Sequence, residues 1–376
     1  MTSKATTSQL VTLLQSSGAS AHGLADPPAG WPAVLDLAAD HGLLPALWAA
    51  MVRGGVQPLP PSLQERAPSA PISILHEAYT ANAERVADLR DQGDLVLGAL
   101  SDAGLPALPL KGLHGLLDQW WAEPAQRFMV DIDVLVASGH LDEAMAIVDG
   151  LGYRDLGTED PEGTADHQMP ALGIPGRLGS LEMHSAPLVL RRAGLLSSAD
   201  LFADAVTVPA GDREVQVPSA THALVLAIGH AQLQDDGARF LRLPLRALHD
   251  VATMVGRGVT DDVDWAEVTA RFEREHELTA LAGFAVALDE LFATELPVPR
   301  RRGHQWLRAT WWATDHPAAA QRYRETLALP RALAAPRMAR LHDAHTPLEL
   351  TVARICHLAR GLRRRLRSGR ADTGPS

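Results

Sequence analysis

The chain has 376 residues, of which 46% are hydrophobic and 21% charged, the mix of a folded globular protein rather than a disordered one. That length exceeds a single core, so a compact protein of two or three parts is expected. A formal net charge of −11 excludes a broad basic face, so non-specific coating of nucleic acid is not the role and a nucleic-acid partner is not expected.

One cysteine, Cys356, allows no intramolecular disulfide, and no Cys/His cluster has zinc spacing, which points to a reducing cytoplasm. The opening MTSKATTSQLVTLLQSSG lacks an apolar run long enough for a signal peptide. The most apolar window, LTALAGFAVAL near 278–288, falls short of the roughly 20 residues that cross a bilayer, so no membrane span is expected. Of 34 basic side chains only Lys4 and Lys111 are lysine, which makes a compact point charge beside Gly112 informative.

From about residue 8 to 104, QLVTLLQ, AVLDLAADHGLLPALWAAMV and ANAERVADLRDQGDLVLGALSDAG have helical spacing, broken by the prolines of 56–71, and predict an N-terminal helical region over 1–104. The character changes at Leu105. LPALPL reads as a strand, KGLHGLLDQWW as a helix, VDIDVLV as a strand and HLDEAMAIVDGLGY as a helix. The loop GTEDPEGTADHQ then precedes RLGSLEMHSAPLVL and REVQVP, both strand-forming, so 105–218 is expected to be a small α/β unit.

Helical spacing resumes from Ser219, which resembles an N-cap, through SATHALVLAIGHAQL, LPLRALHDVATMVGRG, VDWAEVTARFEREH, LTALAGFAVALDELFA and TVARICHLARGLRRRLR. This predicts a C-terminal helical domain over 219–367 and a disordered tail over 368–376. The fold class expected is α+β: a small mixed sheet with helices, flanked on both sides by helical regions.

The chemistry concentrates in LKGLHGLLDQWWAEPAQRFMVDIDVLV. Two aspartates one residue apart on a strand share a face, so Asp131 and Asp133 converge and their repulsion calls for a cation. Magnesium suits hard oxygen ligands that also hold phosphates. Glu182 in GSLEMH is the best-placed third carboxylate, on a strand expected beside DID. Lys111 and Gly112 stand where a strand turns into a helix, where backbone N–H groups favour a phosphate and a glycine admits its close approach.

These residues resemble the nucleotidyltransferase fold superfamily, and within it the bacterial uncharacterised nucleotidyltransferase group, marked by an LKG turn, an arginine, two or three residues and DIDLLV. LPALPLKG, QRFMVDIDVLV, DEAMAIVDGLGY, LEMH, THALVLAIGH, LRALHDVATMV and VDWAEV carry the likeness over most of 80–290. KG followed by RFxxDID also resembles the nucleotidyltransferase toxins of toxin and antitoxin pairs.

The resemblance implies that Asp131 and Asp133 are paired metal ligands for Mg2+ or Mn2+, that Glu182 is the third acid, and that Gly112 marks the phosphate-facing turn with Lys111 and Arg127 facing phosphate. It implies a nucleotide donor such as ATP or a nucleotide sugar, and as acceptor a hydroxyl or phosphate on a small molecule, peptide or protein, consistent with a tailoring enzyme. The superfamily turn usually has glycine or serine after its glycine, and Leu113 stands there. That departure keeps a rival reading in view, a non-catalytic nucleotide-binding or interaction protein; glycosyl transfer is a chemical variant, and an RNA-directed toxin is disfavoured by the charge.

Plainer roles stand beside these. His184 shares the face of Glu182 and could line the cleft or bond the sheet, and Arg127 could pair with an aspartate. His230 and Arg246 are candidate cleft residues from the C-terminal helices, where His222 and His249 are expected to satisfy buried polar contacts. Trp120 and Trp121 are expected to pack in the core. The arginine run from Arg354 to Arg370 reads as a solvated helix end.

Overall fold

Five strands make the central sheet of the computed structural model: β1 (Ala107–Leu110), β2 (Asp131–Val136), β3 (Arg154–Asp155), β4 (Leu172–Gly173) and β5 (Ser180–His184), in the order β1-β2-β5-β4-β3. The structure describes residues 3–15, 30–56, 70–137, 139–157 and 167–332, with Thr346, Glu349 and Thr351. Cys356, the arginine run and the predicted tail lie outside them. So do most of the proline-rich break and of the acidic loop before β4. The sheet is mixed, with β2 parallel to β5 and antiparallel to β1, and β4 antiparallel to both β3 and β5.

The β2–β5 register sets Asp131 opposite Ser180 and Asp133 opposite Glu182. Ile132 to Val136 are all buried, so β2 is covered on both faces and Asp133 sits in a core strand. A β-hairpin of β6 (Val206–Ala210) and β7 (Arg213–Val217) forms a second sheet, turning at Gly211 with φ 63°.

The N-terminal helices are α1 (Lys4–Gln15), α2 (Trp31–Asp40), α3 (Leu44–Arg53) and α4 (Pro71–Asp102). The run AVLDLAADHGLLPALWAAMV, read as helical, forms two helices, because Gly42 takes φ 62° between them and Pro45 favours a fresh start. Helix α4 begins well before ANAERV and runs 32 residues past the sheet. Its buried Asn82 amide donates to the carbonyls of Ala125 (2.8 Å) and Arg127 (2.9 Å), and Tyr79 donates to Glu123 (2.8 Å). Further along, Gln92 donates to Asp88 and the Leu178 carbonyl, and Asp88 accepts from Leu178 N–H. One helix thereby fixes the loop entering β2 and the turn entering β5.

Helix α5 (Lys111–Leu117) follows β1 directly, and α6 (Leu141–Gly150) follows β2. Expected to reach Trp121, α5 stops at Leu117, since Gln119 takes φ 55° and returns Trp120 and Trp121 onto Gly115. A short α7 (Ser198–Ala203) carries a capping box from Ser197 and Asp200. The strand expected over RLGSLEMHSAPLVL ends at His184.

The C-terminal helices of ten residues or more, up to Asp315, are α8 (Ala220–Gly229), α9 (Leu245–Gly256), α10 (Trp265–Arg274), α11 (Leu278–Phe292) and α12 (Gly303–Asp315). Ser219 caps α8 by accepting from His222 N–H, and Asp264 caps α10. Helix α8 continues into one π-helical stretch, His230–Gln234, a geometry that often marks functional positions. Every residue of α11 from Ala280 to Leu288 is buried, which explains a stretch apolar all round. The described residues up to Asp315 form one compact unit, while α13 (Pro317–Ala332) belongs to a second.

Candidate active site

Asp133 is the centre of the site. Its Oδ1 lies 2.6 Å from Lys111 Nζ and 2.8 Å from His184 Nε2, and the residue is only 3% exposed. Burial alone would raise its pKa, but Lys111 and His184 outweigh it and hold the carboxyl well below the usual range. Burial opposes the charge on Lys111 too, yet Asp133, with Asp131 and Glu182 behind it, leaves the ammonium more basic than usual. The same balance, burial against Asp133 and Glu182, raises the His184 pKa.

Glu182 Oε2 lies 3.7 Å from His184 Nε2, as the register and the two-residue spacing require. Asp133, Glu182 and His184 each offer a ligand atom within 4.8 Å of the others, so the three form a cluster that could hold a metal ion. Two carboxylates and an imidazole suit a divalent cation. Asp131 shares the face but stands outside this cluster, and among the described residues its side chain has no ion pair or hydrogen bond. Burial, then the neighbouring Asp133 charge, raises its pKa.

At the strand-to-helix turn Lys111 takes φ 48°, a left-handed conformation that costs an L-residue about 1–2 kcal/mol. Gly112 is buried, and a Cβ there would meet the terminal methyl of the flexible Met129 side chain at 2.7 Å, so an alanine there requires Met129 to shift. Leu113 is fully buried and reaches into the gap above Gly93 on α4. Its side chain therefore fills the core.

Arg127 is paired with Asp250 of α9, Nε to Oδ2 at 3.0 Å, and lies over the Trp121 ring at 5.7 Å. Burial lowers its pKa, with Asp250 opposing, so its charge is largely answered within the protein. Arg246, one turn earlier on α9, is exposed and has no ion pair or hydrogen bond among the described residues. It lies close enough to Asp131 and Asp235 to hold both towards their charged forms.

Beside Lys111 opens a cavity of about 380 Å³, walled by residues 39–42, by α5 and the Trp120–Phe128 loop, and by α8 and α9. His230 and Arg246 line it, whereas His184 belongs to the Asp133 cluster. The sequence reading missed the contribution of His41 and Phe128, because nothing in local spacing shows that residues 39–42 return to this wall. His222 bonds Arg271 (3.2 Å) and His249 meets the Phe292 ring edge-on, neither belonging to the cluster.

A mixed sheet bearing Asp131, Asp133 and Glu182 on adjacent parallel strands, with a lysine at the turn after β1 and helices on both flanks, is a nucleotidyltransferase-type α+β fold. The family described as uncharacterised nucleotidyltransferase matches residues 27–293, and the chain belongs to it. Neither the curated proteins nor the solved structures give a match. Among the described residues no helix is long and apolar enough to cross a membrane.

Proposed function

We propose that the protein transfers a nucleotidyl group from a nucleoside triphosphate to a hydroxyl or phosphate of a small molecule, peptide or protein acceptor. One observation supports this most: an acidic cluster, Asp133 with Glu182 and His184, lies directly against Lys111, beside a ligand-sized cavity. Asp131, Asp133 and Glu182, with His184 at their side, would hold Mg2+ or Mn2+. When bound, that ion would neutralise phosphate charge and align an in-line displacement.

The chain's own residues supply the rest. Lys111 and the exposed Arg246 draw the triphosphate to the mouth of the cavity, between the acids and the helices. His184 and Lys111 keep Asp133 ionised and fixed in direction. Glu182 takes the proton of the acceptor hydroxyl as its oxygen bonds the α-phosphorus; the bond to the bridging oxygen breaks and pyrophosphate leaves.

The reading is tested with nucleoside triphosphates labelled at the α- or γ-phosphate, incubated with bacterial extract and divalent metal. Label moving to an acceptor from the α position only, and lost in Asp133→Asn, supports nucleotidyl transfer. Transfer of the γ label instead would make the protein a kinase, and no transfer would favour a binding protein. A nucleotide-sugar donor is a chemical variant of the same site.

A further inference from the structure

Four residues lining the cavity carry a buried polar atom with no hydrogen-bond partner among the described residues: Trp121 Nε1, His114 Nε2, Asp250 Oδ1 and Arg127 Nε, the last held in its ion pair with Asp250. Such atoms are costly in a folded chain, at about 1–3 kcal/mol each, unless something meets them. The nearest acid to His114 Nε2, Asp118, is 3.7 Å away, too far for a hydrogen bond. Asp250 spends Oδ2 on Arg127 and leaves Oδ1 over.

The set is mixed in sense. The Trp121 indole donates, the Asp250 oxygen accepts, and the His114 nitrogen does either according to its tautomer. Trp120, Trp121 and Phe128 give the same cavity aromatic walls. A cavity of about 380 Å³ lies at the small end of ligand pockets, which run from roughly 300 to 1,000 Å³. A flat ring with N–H donors and lone pairs along one edge answers all of these atoms; a phosphate, with acceptors only, offers nothing to Asp250 Oδ1. The phosphate-seeking cation, Arg246, is instead the exposed one, and Lys111 is shared between the cavity and the acidic cluster.

We propose that this cavity is the base subsite of the donor nucleotide and that Asp250 is its specificity-determining residue, accepting an N–H from the base edge through Oδ1. This rests on the nucleotidyl-transfer reading, which puts the phosphates at Lys111, Arg246 and the acids. The base then lies inward of them, between α5 and α9, with Trp121 donating beside Asp250.

The test is calorimetric binding of ATP, GTP, CTP, UTP and inorganic tripolyphosphate, each with Mg2+, to the full chain. In the wild type at least one nucleotide binds about tenfold or more tighter than tripolyphosphate, the share carried by the base. Asp250→Asn turns an acceptor into a group that also donates, so it changes the order of preference among the four bases, while the Arg127 charge it uncovers acts on tripolyphosphate and all four nucleotides alike. Trp121→Phe keeps the ring and removes one N–H, and lowers the tightest nucleotide by about tenfold. Should Asp250→Asn melt early, Trp121→Phe carries the test.

Nucleotides binding no better than tripolyphosphate, or both variants leaving all four bases in the same order and strength, would overturn the base subsite while leaving the phosphate site standing, and would mark the cavity as the acceptor's. Failure of tripolyphosphate and every nucleotide to bind would overturn both.

Discussion

Lys111 Nζ reaches Asp133 Oδ1 at 2.6 Å from a backbone held at φ 48°, so a strained lysine at the end of β1 neutralises a carboxylate buried in the middle of β2. Left-handed residues other than glycine persist where the surroundings over-determine them, and they gather at functional sites. Lys111→Met is expected to reduce nucleotidyl transfer by about 100-fold or more, the loss typical of one preorganised charge donor. The Lys111 side chain is 25% exposed, so the stability cost is held to about 1–2 kcal/mol despite the buried partner. Lys111→Arg does not restore activity, because a planar fork does not replace a point charge in that gap. Initial rates and a thermal melt check both.

Two glycines of α5 separate phosphate approach from packing. A Cβ at Gly112 meets the flexible end of Met129 at 2.7 Å; at Gly115 it meets the Trp121 and Trp120 rings at 2.4 and 2.6 Å. Gly112→Ala is therefore expected to cost about 1 kcal/mol in the wild type and less when introduced into Met129→Ala, which carries its own cavity cost, while Gly115→Ala costs about 3 kcal/mol, the upper end of overpacking, since the rings cannot bend away. Urea melts of the four variants give the comparison.

Acid lability follows from His114. Burial pulls its pKa from 6.5 down to about 3, so the folded state holds it neutral while the unfolded chain binds a proton. The unfolded state then binds more protons between those values, and stability falls as pH drops from about 6.5 towards 3. His184 has the opposite sign: its raised pKa contributes stability that is complete below 6.5 and lost as pH rises through the raised value. His114→Phe should flatten the acid limb of a stability-against-pH curve and leave the alkaline side unchanged. A slope unaltered below pH 6 would refute the assignment.

His184 stands between both acids, so its removal should be felt as lost metal affinity. His184→Ala is expected to weaken Mn2+ binding in the presence of nucleotide by about 10–100-fold, whether the imidazole ligates or only orients Asp133. Titration with Mn2+ followed by electron paramagnetic resonance reads this directly.

Much of this site was legible because its chemistry is local. The alternation of DIDVLV puts both aspartates on one face, and LEMH spaces Glu182 and His184 by the strand period, so sequence alone placed them together. The capping residue Ser219 and the amphipathic helices were equally local signals. What escaped was non-local. The two-residue strands β3 and β4 exist only through pairing at the sheet edge. Likewise, β6 shows its register only against β7, and nothing in the spacing of Gly42 or Asp250 says that they meet across one cavity. The partner of Arg127 was open between Asp131, Asp133 and phosphate; it is Asp250, 123 positions on, a relation no periodicity encodes. The resemblance placed Gly112 at a phosphate-facing turn; that a Cβ there would also meet Met129 is a tertiary relation the spacing does not show.

The most direct measurement is isothermal titration of the protein with nucleoside triphosphates, with and without Mg2+, in the wild type and in Asp131→Ala/Asp133→Ala. A nucleotidyltransferase site requires metal-dependent binding that the double substitution abolishes in a chain that still folds. Binding that ignores the metal and survives the double substitution would contradict it.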